Sequence, residues 1–252
     1  MKPGSNKKNI CIISLLLFAT IVEAQSEKWE NVGRTDMAKV FEQMNNWFKN
    51  TPSYSLSVTH ASYENHTTMV PVEKAVGYFK KDKNNYHSFL LGIHTIQNSI
   101  YKIVIDSSEK IIAIANPDQL VWNTNTLDDY SLLLKNCSTI KVITSGLDKR
   151  YRFEFAEGYG LSSYEFLINP DGLPKEVVSY YSQEIKKDES DKNSPKVKPR
   201  VSITFSVYKK NPVLNYKEEF DESVYFIKKN NKPLLTEKYK DFKFNDQRLN
   251  FN

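Results

Sequence analysis

The sequence predicts a mainly β protein with helices (α+β), built on an antiparallel sheet with a helical cover. Three observations carry this. From Gly77 to Pro117, β-rich apolar runs are separated by short polar breaks at 80–85, 97–99 and 107–110, which is the grammar of an antiparallel meander. Two other segments space their apolar residues at helical period instead. The second half then returns to strict alternation, as in Arg150-Tyr-Arg-Phe-Glu-Phe.

The 252 residues are 40% hydrophobic and 13% aromatic, enough for a sizeable core. Only 8 glycines are present, so many turns must rest on Asn, Asp, Ser and Lys. Lys and Glu are mixed along most of the chain. The formal charge is +5, and without residues 1–24 it is +3. No basic stripe or nucleic-acid motif is present, so nucleic acid is not an expected partner.

Residues 1–24 read as a signal peptide. Lys2, Lys7 and Lys8 precede an apolar run from Ile10 to Val22, and Val22-Glu23-Ala24 offers small residues for cleavage after Ala24. The run is short for a membrane span of about 20 residues. An uncleaved anchor is the other reading. Residues 25–252 are expected to form a single domain. Cleavage would leave Cys137 as the one cysteine, excluding an intramolecular disulfide. It reads as a small buried residue.

Over 31–49, Met37, Val40, Phe41, Met44, Trp47 and Phe48 form one apolar stripe at helical spacing. Thr35 or Asp36 suits the N-cap, and Pro52 ends the helix. The stripe fits a helix packed on a sheet. It also fits a lid over an apolar cavity, with methionines that adapt to varied ligands. Strands are expected at 54–64, 70–81, 86–91, 99–105 and 110–115. Pro71 marks an edge or a strand start. The run Ile111-Ile-Ala-Ile114 is apolar on both faces and is expected to be central. A short helix follows over 127–136, with Leu127, Tyr130, Leu133 and Leu134 on one side. It is a second lid element or a core helix.

Further strands are expected at 139–144, 150–156, 162–168, 176–185, 200–208 and 225–228. Asn169-Pro-Asp-Gly-Leu-Pro174 is a turn. The polar stretch 186–199 reads as a long hairpin loop. In the tail over 232–252, Tyr239, Phe242 and Phe244 can pin the chain to the sheet.

Catalytic motifs are lacking. His60, His66, His87 and His94 are scattered without metal-ligand spacing. No Gly-x-Ser-x-Gly elbow, phosphate loop or dinucleotide fingerprint occurs. The expectation is a non-enzyme without metal or cofactor.

The order of elements resembles the periplasmic outer-membrane lipoprotein carrier proteins, the LolA-like family. A signal peptide, an amphipathic helix and a meander lead to Gly77-Tyr-Phe-Lys-Lys81 and then to Ser107-Ser-Glu-Lys-Ile-Ile-Ala-Ile-Ala-Asn-Pro117. The latter stands where the family carries Asp-Gly-Lys-x-Leu-Trp-x-Tyr-Asp-Pro. A helical insert and a second meander with an Asn-Pro-Asp-Gly turn follow. The resemblance covers roughly residues 34–228 and implies an incompletely closed antiparallel half-barrel covered by a helical lid. It further implies a periplasmic carrier that binds lipoprotein acyl chains, or another apolar ligand, between sheet and lid. Lipidated proteins and membrane handover proteins would be its partners, and a monomer is expected. Lys80 or Lys81 stands where the family has a lid-locking arginine, with donors but no planar fork.

On this reading the ligand-binding residues are Met37, Val40, Phe41, Met44, Trp47 and Phe48 from the first helix. Leu127, Tyr130 and Leu134 come from the second, and Tyr78, Ile103, Ile112 and Ile114 from the sheet. The alternative is a non-catalytic cell-envelope docking protein on the same fold, with the space under its helices filled by its own aromatics.

Overall fold

The computed structural model describes residues 28–117, 124–187, 190–229 and 232–250. The expected signal peptide lies outside the described residues. The chain opens with β1 (Glu30–Asn31), α1 (Arg34–Asn50), β2 (Ser53–Tyr63), β3 (Glu73–Asp82), β4 (Asn85–Leu90), β5 (Ile93–Gln97), β6 (Lys102–Asp106) and β7 (Ile111–Ala115). Then come α2 (Thr124–Asn136), β8 (Cys137–Ser145), β9 (Asp148–Phe155), β10 (Leu161–Ile168), β11 (Pro174–Tyr181), β12 (Ile185–Lys186), β13 (Lys196–Val197) and β14 (Arg200–Lys210). It closes with α3 (Tyr216–Glu219), β15 (Phe226–Lys229), β16 (Lys232–Leu235) and β17 (Lys243–Asp246).

Thirteen strands form one open sheet, in the order β1-β8-β9-β10-β11-β14-β2-β3-β4-β5-β6-β7-β17. All neighbours are antiparallel except β17, which runs parallel to β7. The fold class is the expected one: mainly β, with a large antiparallel sheet that does not close into a barrel. Two meanders meet at β2 and β14, where Arg200 pairs with Tyr63 and Phe205 with Val58. A bulge between Ser206 and Lys209 carries Val207 at φ +53°.

Several boundaries differ from expectation. β4 and β5 are separate strands because Leu91 (φ +51°) and Gly92 (φ +80°) reverse the chain between them. The N-cap of α1 is Gly33, whose carbonyl accepts from the amides of Asp36 and Met37. β3 starts at Glu73, beyond Pro71. The run 111–115 is not central: β7 is the last strand but one, and its apolar character comes from what covers it. The polar stretch after β11 does fold back on itself, with Ile185 opposite Val197.

Pairing assigns the two faces. Tyr54 lies opposite Lys81, and Leu56 opposite Phe79. Phe79, Ser88, Thr95 and Val104 continue that face across the first meander. Ile96, Ile103 and Ile114 are register partners on the other face. In the second meander Ile140, Phe153, Tyr164 and Ser179 share the first face. Each face carries a core. The helix face buries Tyr54, Leu56, Phe79, Ile140, Tyr151, Phe153, Phe166 and Ile168 with α1. The isoleucine face buries Ile96, Ile103, Ile105, Ile112 and Ile114 under Tyr225 and Phe226, with Tyr239, Phe242 and Phe244 packed around them.

The C-terminal cover is anchored at Asn98. Its Nδ2 donates to the carbonyl of Phe220 (3.1 Å) and to Glu222 Oε2 (2.6 Å), while its Oδ1 accepts from the amides of Ile100 and Tyr101. Beneath the second meander the same face is ionic. Glu165, 6% exposed, lies between Arg150 and Arg152.

Candidate apolar ligand site

α1 lies over the second meander with Met37, Phe41, Met44 and Phe48 fully buried. These recur every three or four residues, so one stripe meets the sheet. Asp36 in the first turn and Lys49 in the last suit the helix dipole. Phe41 meets Phe153 with ring centroids 6.0 Å apart and Phe166 at 5.8 Å. Trp47 is half-buried at the flank, against Phe48, Tyr54 and Tyr208, with Lys210 Nζ 5.4 Å from its ring.

α2 packs beside α1. Tyr130 stacks on Phe41, and Leu133 and Leu134 pack against the same core. Leu127 lies in the helix, but its side chain is outside those described. Arg34 ties the two helices together. Its Nε donates to the carbonyl of Leu134 (2.8 Å) and its second guanidinium nitrogen to that of Cys137 (2.7 Å). The first lies in the last turn of α2, where a cation is favourable, and the second opens β8. The Cys137 thiol donates to the Leu134 carbonyl, and burial raises its pKa.

A second tie holds the far end of α1. Lys81 Nζ contacts the carbonyls of Phe48 (3.3 Å) and Thr51 (3.5 Å), and lies 5.5 Å from the Tyr54 ring. Burial lowers its ammonium pKa. Lys80 points to the other face, where it meets Glu219.

Between helix and sheet the space is filled by the molecule's own rings. An open groove remains at one rim, with a volume of about 330 Å³. Val40 and Gln43 of α1 form one wall. Tyr151 and Ile168 are part of the other, and Leu147, Lys149 and Asn169–Gly172 complete the lining. Its shape depends on the β10–β11 turn. There Asn169 Oδ1 accepts from the amide of Leu173, and Gly172 adopts φ +78°.

The expected ligand residues therefore fall into two groups. Met37, Val40, Phe41, Met44, Trp47, Phe48, Tyr130 and Leu134 belong to the helix-face core or pack against it. Ile103, Ile112 and Ile114 lie on the opposite face under the C-terminal cover. Tyr78 also points there, its hydroxyl 3.1 Å from His87 Nε2. The sheet residues that do meet the helices include Tyr151, Phe153, Phe166 and Ile168. The alternation Tyr151, Phe153, Phe155 was the signal that could have found them.

Among the described residues, no group of three or more His, Cys, Asp or Glu side chains is arranged to hold a metal ion. No helix among them is long and apolar enough to cross a membrane.

The fold and site together define a class: an open antiparallel sheet with two helices on one face and a groove of mixed lining at the rim of α1. No family model matches the chain, and no curated protein matches it. Solved structures that are similar to it include a LolA superfamily protein. That protein, from Nitrosomonas europaea, is 7% identical, with 71% of this chain and 95% of that one covered and a TM-score of 0.30. The lipoprotein LppX of Mycobacterium tuberculosis is 9% identical over 72% of this chain and 99% of its own, with a TM-score of 0.37. An uncharacterised conserved protein from Thermus thermophilus is 8% identical over 73% and 91%, with a TM-score of 0.38. No reading of the site rests on these likenesses.

Proposed function

We propose that this protein is a non-catalytic binder of an apolar chain, such as a lipid acyl group, held between α1 and the sheet, and that it acts in the cell envelope. One observation carries the reading. The groove beside Val40 is floored by Tyr151 and Ile168, which belong to the same apolar core as Met37, Phe41 and Met44. A chain seated there therefore meets a region where the helix layer opens to solvent.

At about 330 Å³ the groove is at the small end of ligand sites, which run from roughly 300 to 1,000 Å³. It takes one short chain as it stands. A longer chain requires α1 and α2 to part, and each methylene it buries contributes about 0.8 kcal/mol toward that opening. Arg34 and Lys81 are the ties that would resist. A carrier of lipidated proteins, working as a monomer with membrane handover partners, is the specific form this reading takes.

The filling of the layer by Phe41, Tyr130, Phe153 and Phe166 favours a second reading, an envelope docking protein with the helices as core. Native mass spectrometry of the protein from its own source, with organic extraction and a fluorescent fatty-acid probe, separates the two. A bound acyl species near one-to-one, and loss of probe uptake in Val40→Trp, support the binder. A ligand-free mass with no probe uptake leaves the docking protein.

A further inference from the structure

The helix-face reading does not use a polar cluster buried on the opposite face, where α3 meets the first meander. Glu219 of α3 receives Lys80 Nζ on one carboxylate oxygen and contacts His87 Nδ1 through the other, at 3.1 Å. The second ring nitrogen of His87 faces two groups at once: Tyr78 Oη at 3.1 Å and His94 Nδ1 at 3.3 Å. His94 lies against Phe89, with centroids 4.5 Å apart and planes tilted by 35°. His87 itself is 6% exposed.

We propose that His87 and His94 form a proton-sensitive clasp, which holds residues 216–246 on the isoleucine face and releases them on acidification. The argument is one of hydrogen count. With His87 Nδ1–H donated to Glu219, the nitrogens of His87 and His94 that face each other have room for one hydrogen between them. The neutral pair satisfies the contact when His94 carries its hydrogen on Nδ1, and a single added proton satisfies it as well. A second proton puts two N–H groups head to head, and the pair comes apart.

The surroundings offer that second charge little: Tyr78 can accept from His87, but apart from Glu219 the groups around the pair are neutral or cationic. Tyr78 and Lys80 come from β3 and His94 from β5, and the positive charge of Lys238, in the turn Glu237–Tyr239, disfavours a proton on His94. Tyr225 of the cover is a neutral phenol whose pKa is raised, chiefly by burial. The one carboxylate, Glu219, is already shared by Lys80 and His87. Burial, the largest cause for each ring, pulls both imidazoles below their usual range. Glu219 opposes this at His87; His87 and Lys238 add to it at His94. Folded values below the unfolded one mean that the clasp's contribution is complete above the usual value of 6.5 and is lost as pH falls below it. The two steps belong to the pair. Release would bare Ile96, Ile103, Ile105, Ile112 and Ile114 as one apolar surface.

The test is hydrogen exchange followed by mass spectrometry, corrected for intrinsic rates, between about pH 7.5 and about pH 5. Acid is expected to speed exchange about tenfold or more in 93–115 and 216–246 while α1 and β9 stay protected. His94→Phe keeps a ring beside Phe89 and leaves one imidazole, with Glu219 and Tyr78 as acceptors. Its cover is expected to stay protected at the lower pH. Unchanged exchange in the native protein, or equal acid sensitivity in the variant, overturns the clasp. Should the variant fail to fold, the imidazole titration of the native protein by NMR decides. A step that coincides with loss of protection supports the clasp, and two independent titrations near the usual value overturn it.

Discussion

The rings of Phe41 and Tyr130 lie face to face, their centroids 3.9 Å apart and their planes 3° from parallel. This contact joins α2 to the middle of α1. It also marks the place where a ligand longer than the rim groove would have to enter, because the same Phe41 closes the layer against Phe153 and Phe166.

A double-mutant cycle measures that joint. Tyr130→Leu keeps apolar bulk and removes the stack, so urea unfolding should show a loss of roughly 0.5–1.5 kcal/mol beyond the change in area. The same substitution in a Phe41→Leu background should cost less. Strict additivity would show that the stack is not an energetic link.

Arg34 is the second joint. Arg34→Gln takes charge-assisted bonds from a carbonyl in the last turn of α2 and from the first carbonyl of β8. Such bonds are worth roughly 1.5–3 kcal/mol, and partial exposure places this pair toward the low end. Hydrogen exchange should quicken in α2 more than in α1, and fatty-acid probe uptake should rise. Equal protection of α2 in both proteins would remove Arg34 as a tie.

Gly77 allows β3 and β4 to approach closely. A Cβ there would stand 1.9 Å from the carbonyl oxygen of Phe89 and 3.1 Å from Leu90 Cδ1. Backbone cannot yield as a side chain can, so Gly77→Ala should cost at least the roughly 1–3 kcal/mol of an overpacked site. A melting temperature equal to that of the native protein would contradict this packing.

Alkaline titration reports the cores directly. Burial raises the phenol pKa values of Tyr54, Tyr208 and Tyr225 far above the usual 10.0. Neighbouring tyrosines add to the effect: Tyr208 beside Tyr54, Tyr130 beside Tyr208 and Tyr239 beside Tyr225. A folded value above the unfolded one means that this stabilisation is complete below the ordinary phenol pKa and is lost as pH rises through it. Phenolate absorbance should therefore show these three ionising only as circular dichroism is lost. A smooth titration of all 15 tyrosines at the ordinary value would contradict their burial.

Period was legible in the sequence, and so were the elements that depend on it. The stripe Met37, Phe41, Met44, Phe48 is the buried face of α1, and Tyr151 and Phe153 lie inward as their alternation requires. Which face of each strand joins which core was not legible, because two cores stack on one sheet. Ile111–Ile114 looked central, as apolar strands buried on both faces do. It lies near an edge and is shielded by a tail whose aromatics are far away in sequence. Lys80 and Lys81 were singled out only through the family resemblance, and Lys81 is the one at the end of α1. The tie of Arg34 was hidden for a related reason: a cation finds its partner at another helix's end through the fold. Arg34 sits in the first turn of α1, an unfavourable place for its charge, and that mismatch was the only trace of a contact elsewhere.

The seam between β2 and β14 governs when this molecule can become whole. Within each meander most strands pair with the one just made, and these hairpins can form as the chain is synthesised. Tyr63 must wait for Arg200, and Ile111 must wait for Lys243. Such distant pairings slow folding. The isoleucine face consequently stays uncovered until the residues from Phe226 onward are made, so a chain stopped short of Phe226 would carry a complete first meander with one greasy side and nothing of its own to hide it.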